Sequence, residues 1–190
     1  MRVRTWTKKG NPCKKGTKGC KHSDYAYLIV LQKTGTNEYG AVTGTLTLYG
    51  RGYADKIAES AAFSGGFPGK GPIPEGRFTI RLDIRDTVDF SDLRMTAAGA
   101  ELKQFYGIQQ IPADVGGYDA RWEWGSIRAA LNPAPGETRS EYLGNFLHGK
   151  NRPQDYTHGC VAERSEQILK QLVQMDPKVT RSVLLEVRRK

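Results

Sequence analysis

Residues 146–161, with the sequence FLHGKNRPQDYTHGCV, decide the fold and the chemistry that we expect of this chain. The apolar start that ends in His148 is typical of the end of a strand, and a polar loop then leads to a glycine turn before Cys160. A free thiol titrates near ~8.5, so it needs a base to act as a nucleophile at neutral pH. An imidazole held nearby supplies that base and stabilises the thiolate as an ion pair. The pattern therefore predicts Cys160 as a nucleophile and His148 as its base.

Gly159 supports this prediction through the backbone. Glycine allows the chain to turn sharply just before Cys160, so that the sulfur and consecutive backbone N–H groups can point at one spot and form an oxyanion hole. Each residue alone has a plainer interpretation, because a lone cysteine is usually a small buried hydrophobe and a histidine in a glycine-rich loop is usually a turn residue. The combination, between a hydrophobic strand and a helical pattern, favours catalysis.

The composition is that of one domain, or of one domain with an arm. The chain has 190 residues, 38% of them hydrophobic and 26% charged, which permits a real core and excludes wholesale disorder. No run of about 18 apolar residues is present, so we expect no membrane span. The first residues, MRVRTW, lack the apolar segment of a secretory signal, so we expect synthesis in the cytoplasm and, if the protein leaves, a route that needs no such signal.

The net charge of +9 is concentrated in an N-terminal arm, residues 1–22. This arm contains eight basic residues and no acidic one: Arg2, Arg4, Lys8, Lys9, Lys14, Lys15, Lys18 and Lys21. It suits a polyanion such as nucleic acid, teichoic acid or lipid headgroups, or it acts as a solubilising tail. No nucleic-acid-binding motif accompanies it, so nucleic acid is not the expected partner. Residues 23–190 form the expected domain.

Cys13 and Cys20 lie within the arm and leave Cys160 as an odd, free thiol. The two are close enough in sequence to close a small disulfide loop, which would indicate an oxidising compartment. A metal site of Cys13, Cys20 and His22 is the weaker alternative, because the spacing is not a usual zinc spacing and no fourth ligand is evident.

The remaining pattern predicts a mainly β domain with one packed C-terminal helix. Strand-forming residues occur at 25–33, 41–49, 56–63, 77–82 and 179–187, and apolar residues at helical spacing occur at 163–175. Residues 86–140 are the least regular part, with a helical turn or two expected near 98–106. A long segment of this kind is often functional, so we expect it to cover or line a cleft.

Two motifs resemble those of the L,D-transpeptidase catalytic domains. His148-Gly149, followed by Thr157-His158-Gly159-Cys160, is similar to the family motif of His, a variable loop, then Ser or Thr, His, Gly and Cys. Residues 71–78, GPIPEGRF, resemble the Pro-x-Gly-x-Phe element that opens a core strand of that fold. Together with residues 61–65, AAFSG, they are closer to one branch, the L,D-transpeptidase-like effectors delivered by type VI secretion. The resemblance covers about residues 55–187.

The resemblance implies a β-sandwich that carries out cysteine acyl transfer on peptidoglycan stem peptides, without a metal or organic cofactor. The enzyme would remove or exchange the terminal D-amino acid of a tetrapeptide in the periplasm or cell wall, as an antibacterial toxin with an immunity protein as a candidate partner. The implied catalytic residues are Cys160, His148, Gly159, His158 and Thr157. The candidate substrate contacts are Gly149, Arg139, Tyr142 and Trp122.

The chain departs from the family pattern in two ways. His148 and Cys160 are closer in sequence than in housekeeping transpeptidases, so the loop between them must be small. The arginine commonly found two residues after the cysteine is Ala162 here, and Arg164 or Arg139 are the candidates to replace it.

Three other interpretations remain open. The same chemistry would serve a phage lysis or tail-associated protein. A binding module could keep the fold without turnover, in which case Cys160 would alkylate no faster than a model thiol. A nucleic-acid-binding β-protein would depend on residues 1–22 and show steeply salt-dependent binding.

Overall fold

The fold is described by a computed structural model, which covers residues 25–50, 53–97, 99–138 and 144–189. The basic arm, with Cys13 and Cys20, lies outside the described residues, as do Arg139 and Tyr142. Within the described part the protein is mainly β, as the sequence predicts. Its strands are β1 (Leu28–Thr36), β2 (Val42–Tyr49), β3 (Lys56–Ser64), β4 (Gly76–Arg81), β5 (Arg85–Thr87), β6 (Leu93–Thr96), β7 (Gly99–Leu102), β8 (Ile108–Gln110), β9 (Ile127–Pro133), β10 (Asn145–His148), β11 (Val161–Glu163) and β12 (Ser182–Arg188).

The main sheet closes into a barrel rather than the expected two-sheet sandwich. Its strands run in the order β10-β11-β3-β2-β1-β12-β4-β9, and β9 pairs again with β10. Closure is possible because β9 uses both edges: one pairs with β10 over Leu131 to Arg128, and the other pairs with β8 and then, at Asn132 and Pro133, with β4. A closed ring satisfies the backbone groups that the outer strands of an open sheet would expose.

The barrel interior is one continuous apolar core. Completely buried side chains from β1, β2, β4, β10 and β12 meet there, among them Ile29, Leu46, Phe78, Ile80, Leu147 and Val183. Strand β4 shows the alternation that the sequence predicts, whereas β1 and β10 contain continuous runs of buried residues.

One packed helix, α2 (Gln167–Gln174), follows β11, as predicted, and its buried face joins this core through Ile168, Leu169 and Leu172. The helix begins four residues later than the pattern suggested, because Glu163 still belongs to β11. The buried Glu163 carboxylate instead accepts the N–H groups of Ile168 and Leu169 at 2.7 and 3.1 Å. Burial raises the pKa of Glu163.

Residues 86–140 contain more strand than the sequence suggested. The helical turn expected near 98–106 is wrong, because β7 pairs there with β6 in a hairpin that is separate from the barrel. Leu93 and Leu102, which face each other across this hairpin, pack on a small second core around Val88, Ile111 and Val115. The helical elements described here are each about one turn long: a 3₁₀ helix at Phe90–Asp92 and α1 (Arg121–Trp124).

Candidate active site

The barrel brings the two central residues of the predicted site together at the ends of neighbouring strands. His148 is the last residue of β10, and Cys160 immediately precedes β11. The two strands pair in parallel, with Leu147 opposite Val161 and His148 opposite Ala162. The Phe146 N–H on β10 acts on the Cys160 sulfur and lowers the pKa of the thiol. Strand register, rather than proximity in sequence, therefore fixes the position of the nucleophile candidate beside its base.

Thr157 holds the turn that presents Cys160. Its hydroxyl donates to the Cys160 carbonyl at 2.6 Å and accepts the Gly65 N–H at 2.9 Å, while its own N–H donates to the Gly65 carbonyl at 2.7 Å. These bonds make Thr157 a cap of the turn before Cys160, and none of the described hydrogen bonds of its side chain joins it to His148. The Gly159 N–H also donates to Thr157 Oγ1, at 3.3 Å.

The glycine- and proline-rich loop before β4 packs under this turn. Gly65 has a φ of +77°, and a Cβ there would lie 2.6 Å from the Pro72 nitrogen, so this close approach requires glycine. Ser64 then joins the two segments: its hydroxyl accepts the Ile73 N–H at 2.8 Å and donates to the Gly159 carbonyl at 3.1 Å. The glycine- and proline-rich motif of the sequence thus holds the turn before Cys160 in place through Ser64.

His148 has the geometry of a general base. Its Nδ1 lies 2.5 Å from the Gly149 carbonyl, and because a carbonyl only accepts hydrogen bonds, Nδ1 carries the proton. Nε2 is then the basic nitrogen. Burial lowers the pKa of His148 to about 4, so the ring is neutral at physiological pH.

Cys160 is protonated in the resting site. Burial raises the pKa of its thiol to about 11, although the Phe146 N–H and the charge of Arg128 both act to lower it. Within the described residues, no hydrogen bond joins the Cys160 sulfur to a His148 ring nitrogen. The two pKa shifts favour a neutral thiol and a neutral imidazole over the resting ion pair expected from the sequence. Proton transfer would therefore accompany attack on a substrate.

Both residues open into a cleft of about 390 Å³. The hairpin β6–β7, the region of α1 and the loop before Cys160 provide its walls, as the irregular segment led us to expect. The lining residues are Ala100, Glu101, Leu102, Tyr118, Glu123, Trp124, His148, Arg152, Thr157, His158 and Cys160.

Comparisons with known proteins found no match. No family model, curated protein or solved structure matches this chain. What the site can do therefore follows from its own residues.

The other predicted residues lie at differing distances from this chemistry. His158 is exposed at the cleft, where its ring packs edge-on against Phe67 with centroids 4.0 Å apart. Gly149 does not line the cleft. Its carbonyl accepts the hydrogen bond from His148 Nδ1, and its Cα packs against the carboxylate of Glu166. Trp122 is half exposed and lies outside the lining set as well. Its neighbour Trp124 lines the cleft instead, with its ring 5.1 Å from that of His148.

Sequence reasoning missed two arginines. Arg152 lines the cleft and forms an ion pair with Glu123 at 2.9 Å, while a second nitrogen donates to the Tyr156 carbonyl at 2.7 Å. Arg128 lies on β9 directly opposite His148 and is almost completely buried. The signal for Arg128 was a single charge inside the apolar run Ile127 to Leu131. Arg164, a candidate to replace the absent family arginine, is exposed and paired with Asp155.

The described residues were also compared with the requirements of a membrane span and of a metal site. No helix among the described residues is long and apolar enough to cross a membrane. The same residues contain no cluster of three His, Cys, Asp or Glu side chains that could hold a metal ion.

Proposed function

We propose that this protein is a cysteine acyl-transfer enzyme that removes or exchanges the terminal D-amino acid of peptidoglycan stem tetrapeptides. The observation that carries the proposal is the placement of the Cys160 thiol and a neutral imidazole, with Nε2 as its basic nitrogen, in one cleft. The resemblance of residues 146–161 to the L,D-transpeptidase motif supplies the substrate class.

The first half-reaction would form a thioester. His148 Nε2 takes the proton of the Cys160 thiol as the sulfur attacks the carbonyl carbon that precedes the terminal D-alanine. The resulting oxyanion needs N–H donors, and because the Gly159 N–H already donates to Thr157, we assign this role first to the Cys160 N–H. When the tetrahedral intermediate collapses, the carbon–nitrogen bond breaks and His148 returns the proton to the leaving amine. D-alanine departs, and the acyl group remains on sulfur.

The second half-reaction decides the product. Water attack on the thioester, with His148 accepting its proton, would release a tripeptide and regenerate the thiol. Attack by the amine of a free D-amino acid would instead exchange the terminal residue, and attack by the amine of another stem would form a cross-link.

The direct test is incubation of the full chain with tetrapeptide and pentapeptide muropeptides, with and without D-methionine, followed by mass spectrometry. We expect loss or exchange of the terminal D-alanine of the tetrapeptide by the wild type, and none by Cys160→Ala. Buffers should contain a reductant to keep the thiol free. If wild type and variant both leave the tetrapeptide intact, the enzyme proposal fails and a binding module becomes the better interpretation.

We further propose that this activity serves as an antibacterial toxin acting in the periplasm of a target cell. This second proposal rests on the resemblance of residues 61–78 to the type VI effector branch. Export of the full chain to the periplasm of a host cell tests it.

A further inference from the structure

Among the described residues, no carboxylate forms an ion pair with the buried positive charge of Arg128, although the charge of Asp92 raises the pKa of its guanidinium. Its side chain is only 1% exposed. Nε and Nη2 donate to the Gln109 side-chain oxygen at 2.8 and 2.5 Å, and Nη2 also donates to the Lys103 carbonyl at 2.7 Å. Both acceptors are neutral, and within the described part of the chain no ion pair involves this guanidinium. Burying a charge without a counter-ion is costly, so a position of this kind calls for a functional explanation.

One nitrogen of this guanidinium has no partner at all. Arg128 Nη1 is buried and makes no hydrogen bond among the described residues. An N–H donor left unpaired in a protein interior is destabilising. The guanidinium therefore has both a charge and an N–H donor available to an anion, and that anion forms only when a nearby group loses a proton.

The strand register directs this charge towards the catalytic pair. Arg128 and His148 are opposite each other on adjacent antiparallel strands, so their side chains emerge on the same face. The guanidinium carbon lies 5.0 Å from the Trp124 ring centroid and 4.9 Å from that of Phe146, the residue on β10 whose N–H acts to lower the pKa of Cys160. Arg128 is not among the residues that line the cleft, so it does not reach a substrate held there.

We infer that Arg128 is a positioning residue for the reaction whose positive charge, held from behind the cleft, stabilises the Cys160 thiolate as it forms. The inference rests on the proposed function. The charge of Arg128 would balance the thiolate at the moment when the thiol loses its proton. This charge comes from β9, whereas the arginine of the family motif lies two residues after the cysteine.

The electrostatics agree with this role. The charge of Arg128 lowers the pKa of Cys160, and a Cys160 thiolate in turn raises the pKa of Arg128. Burial lowers the pKa of Arg128 to about 10, so the guanidinium stays charged at neutral pH. The other ionisable groups that face the cleft or act on the pair are Asp92, Glu101, Tyr118, Glu123, His148, Lys150, Arg152 and His158.

Gln109 offers a way to cancel this charge without removing it. Its side chain is completely buried, and its amide nitrogen lacks a hydrogen-bond partner. Gln109→Glu is nearly isosteric, places a carboxylate on the two nitrogens that Arg128 already directs there, and removes the unpaired amide. This variant should pair with Arg128 and fold at least as stably as the wild type, whereas Arg128→Gln carries the risk of misfolding.

The experiment measures the alkylation rate of Cys160 by iodoacetamide against pH, in the full chain and resolved by peptide mass spectrometry from Cys13 and Cys20. We expect Gln109→Glu and Arg128→Gln to shift the profile to higher pH, which slows alkylation at neutral pH about tenfold for each unit by which the pKa of the thiol rises. Arg128→Lys, which keeps the charge, should restore most of the wild-type profile.

An unchanged profile in folded Gln109→Glu protein would overturn the inference, because Arg128 would then act only as packing. Muropeptide turnover by the wild type is measured in parallel. If turnover is seen and the profile does not move, the inference fails alone. If the profile moves without turnover, the proposed function fails, and the electrostatic coupling of Arg128 to Cys160 still holds.

Discussion

At the scale of single residues, burial sets the chemistry of the candidate site. His148 and Cys160 both sit where the charged form is penalised, so the imidazole becomes a weaker base and the thiol a weaker acid. Such a pair favours proton transfer only as the sulfur attacks a substrate carbonyl. In the resting site, burial outweighs the favourable charge of Arg128 on the Cys160 thiol.

His148 should make stability depend on pH. Its folded-state pKa of about 4 lies below the ordinary 6.5, so as pH falls the unfolded state binds the proton first. Stability that is complete above pH 6.5 should therefore be lost progressively between pH 6.5 and pH 4, by about 3 kcal/mol in total. Urea unfolding of the wild type and His148→Gln from pH 7 to pH 4.5 measures this difference.

His158→Gln is the matched control for that experiment, because His158 lies in the same cleft but is exposed. It should retain most of the wild-type pH dependence. Parallel curves for wild type and His148→Gln would show that His148 does not titrate as its burial requires.

At the scale of elements, the turn before β11 is the part on which the nucleophile depends. Thr157 supplies three hydrogen bonds that tie this turn to Gly65 and to the Cys160 carbonyl. Thr157→Val keeps the shape but leaves the buried Gly65 N–H unpaired, and should cost about 1–3 kcal/mol of unfolding free energy. Turnover of tetrapeptide should fall as well, since Cys160 loses its support.

Thr157→Ser retains the hydroxyl and should stay near wild type in both measurements, denaturant unfolding and tetrapeptide turnover. A destabilised Ser variant beside a stable Val variant would mean that the methyl group, rather than the hydroxyl, supports the turn.

Much of this element-level picture could be predicted from the sequence, and the reasons for the failures are physical. Strands β1, β2, β3, β4 and β12 have alternating or β-rich patterns, and α2 has helical spacing, so local periodicity located them. The segment around β7 was misassigned, because four residues that pair with another short strand carry almost no periodic signal. Arg128 was missed because its position beside His148 depends on the pairing of β9 with β10. Local sequence patterns do not predict which strands pair in a barrel.

At the scale of the whole molecule, the compartment in which the protein acts is the main consequence of the proposed function. Export of the full chain to the periplasm of a Gram-negative host, through an added signal peptide, should arrest growth or deform cells, whereas the same chain without that signal should be tolerated. Cys160→Ala should be harmless in both compartments. Growth curves and microscopy provide the measurement.

Toxicity that is equal in both compartments and survives Cys160→Ala would contradict the proposal. It would favour a partner in the cytoplasm, and the eight basic residues of the arm would then make nucleic acid the first to examine.

The parallel register of β10 and β11 sets the spacing of the two central residues of the candidate site. The ladder that sets Leu147 against Val161 fixes where base and nucleophile stand, while the chain from Gly149 to Tyr156 only has to travel from one strand to the next. A short span between the motif's histidine and cysteine is therefore no handicap. Residues could be added at the exposed Pro153 and Gln154 without moving either reactive atom, which makes this point a natural place for lineages to lengthen, decorate or retune the rim of the cleft.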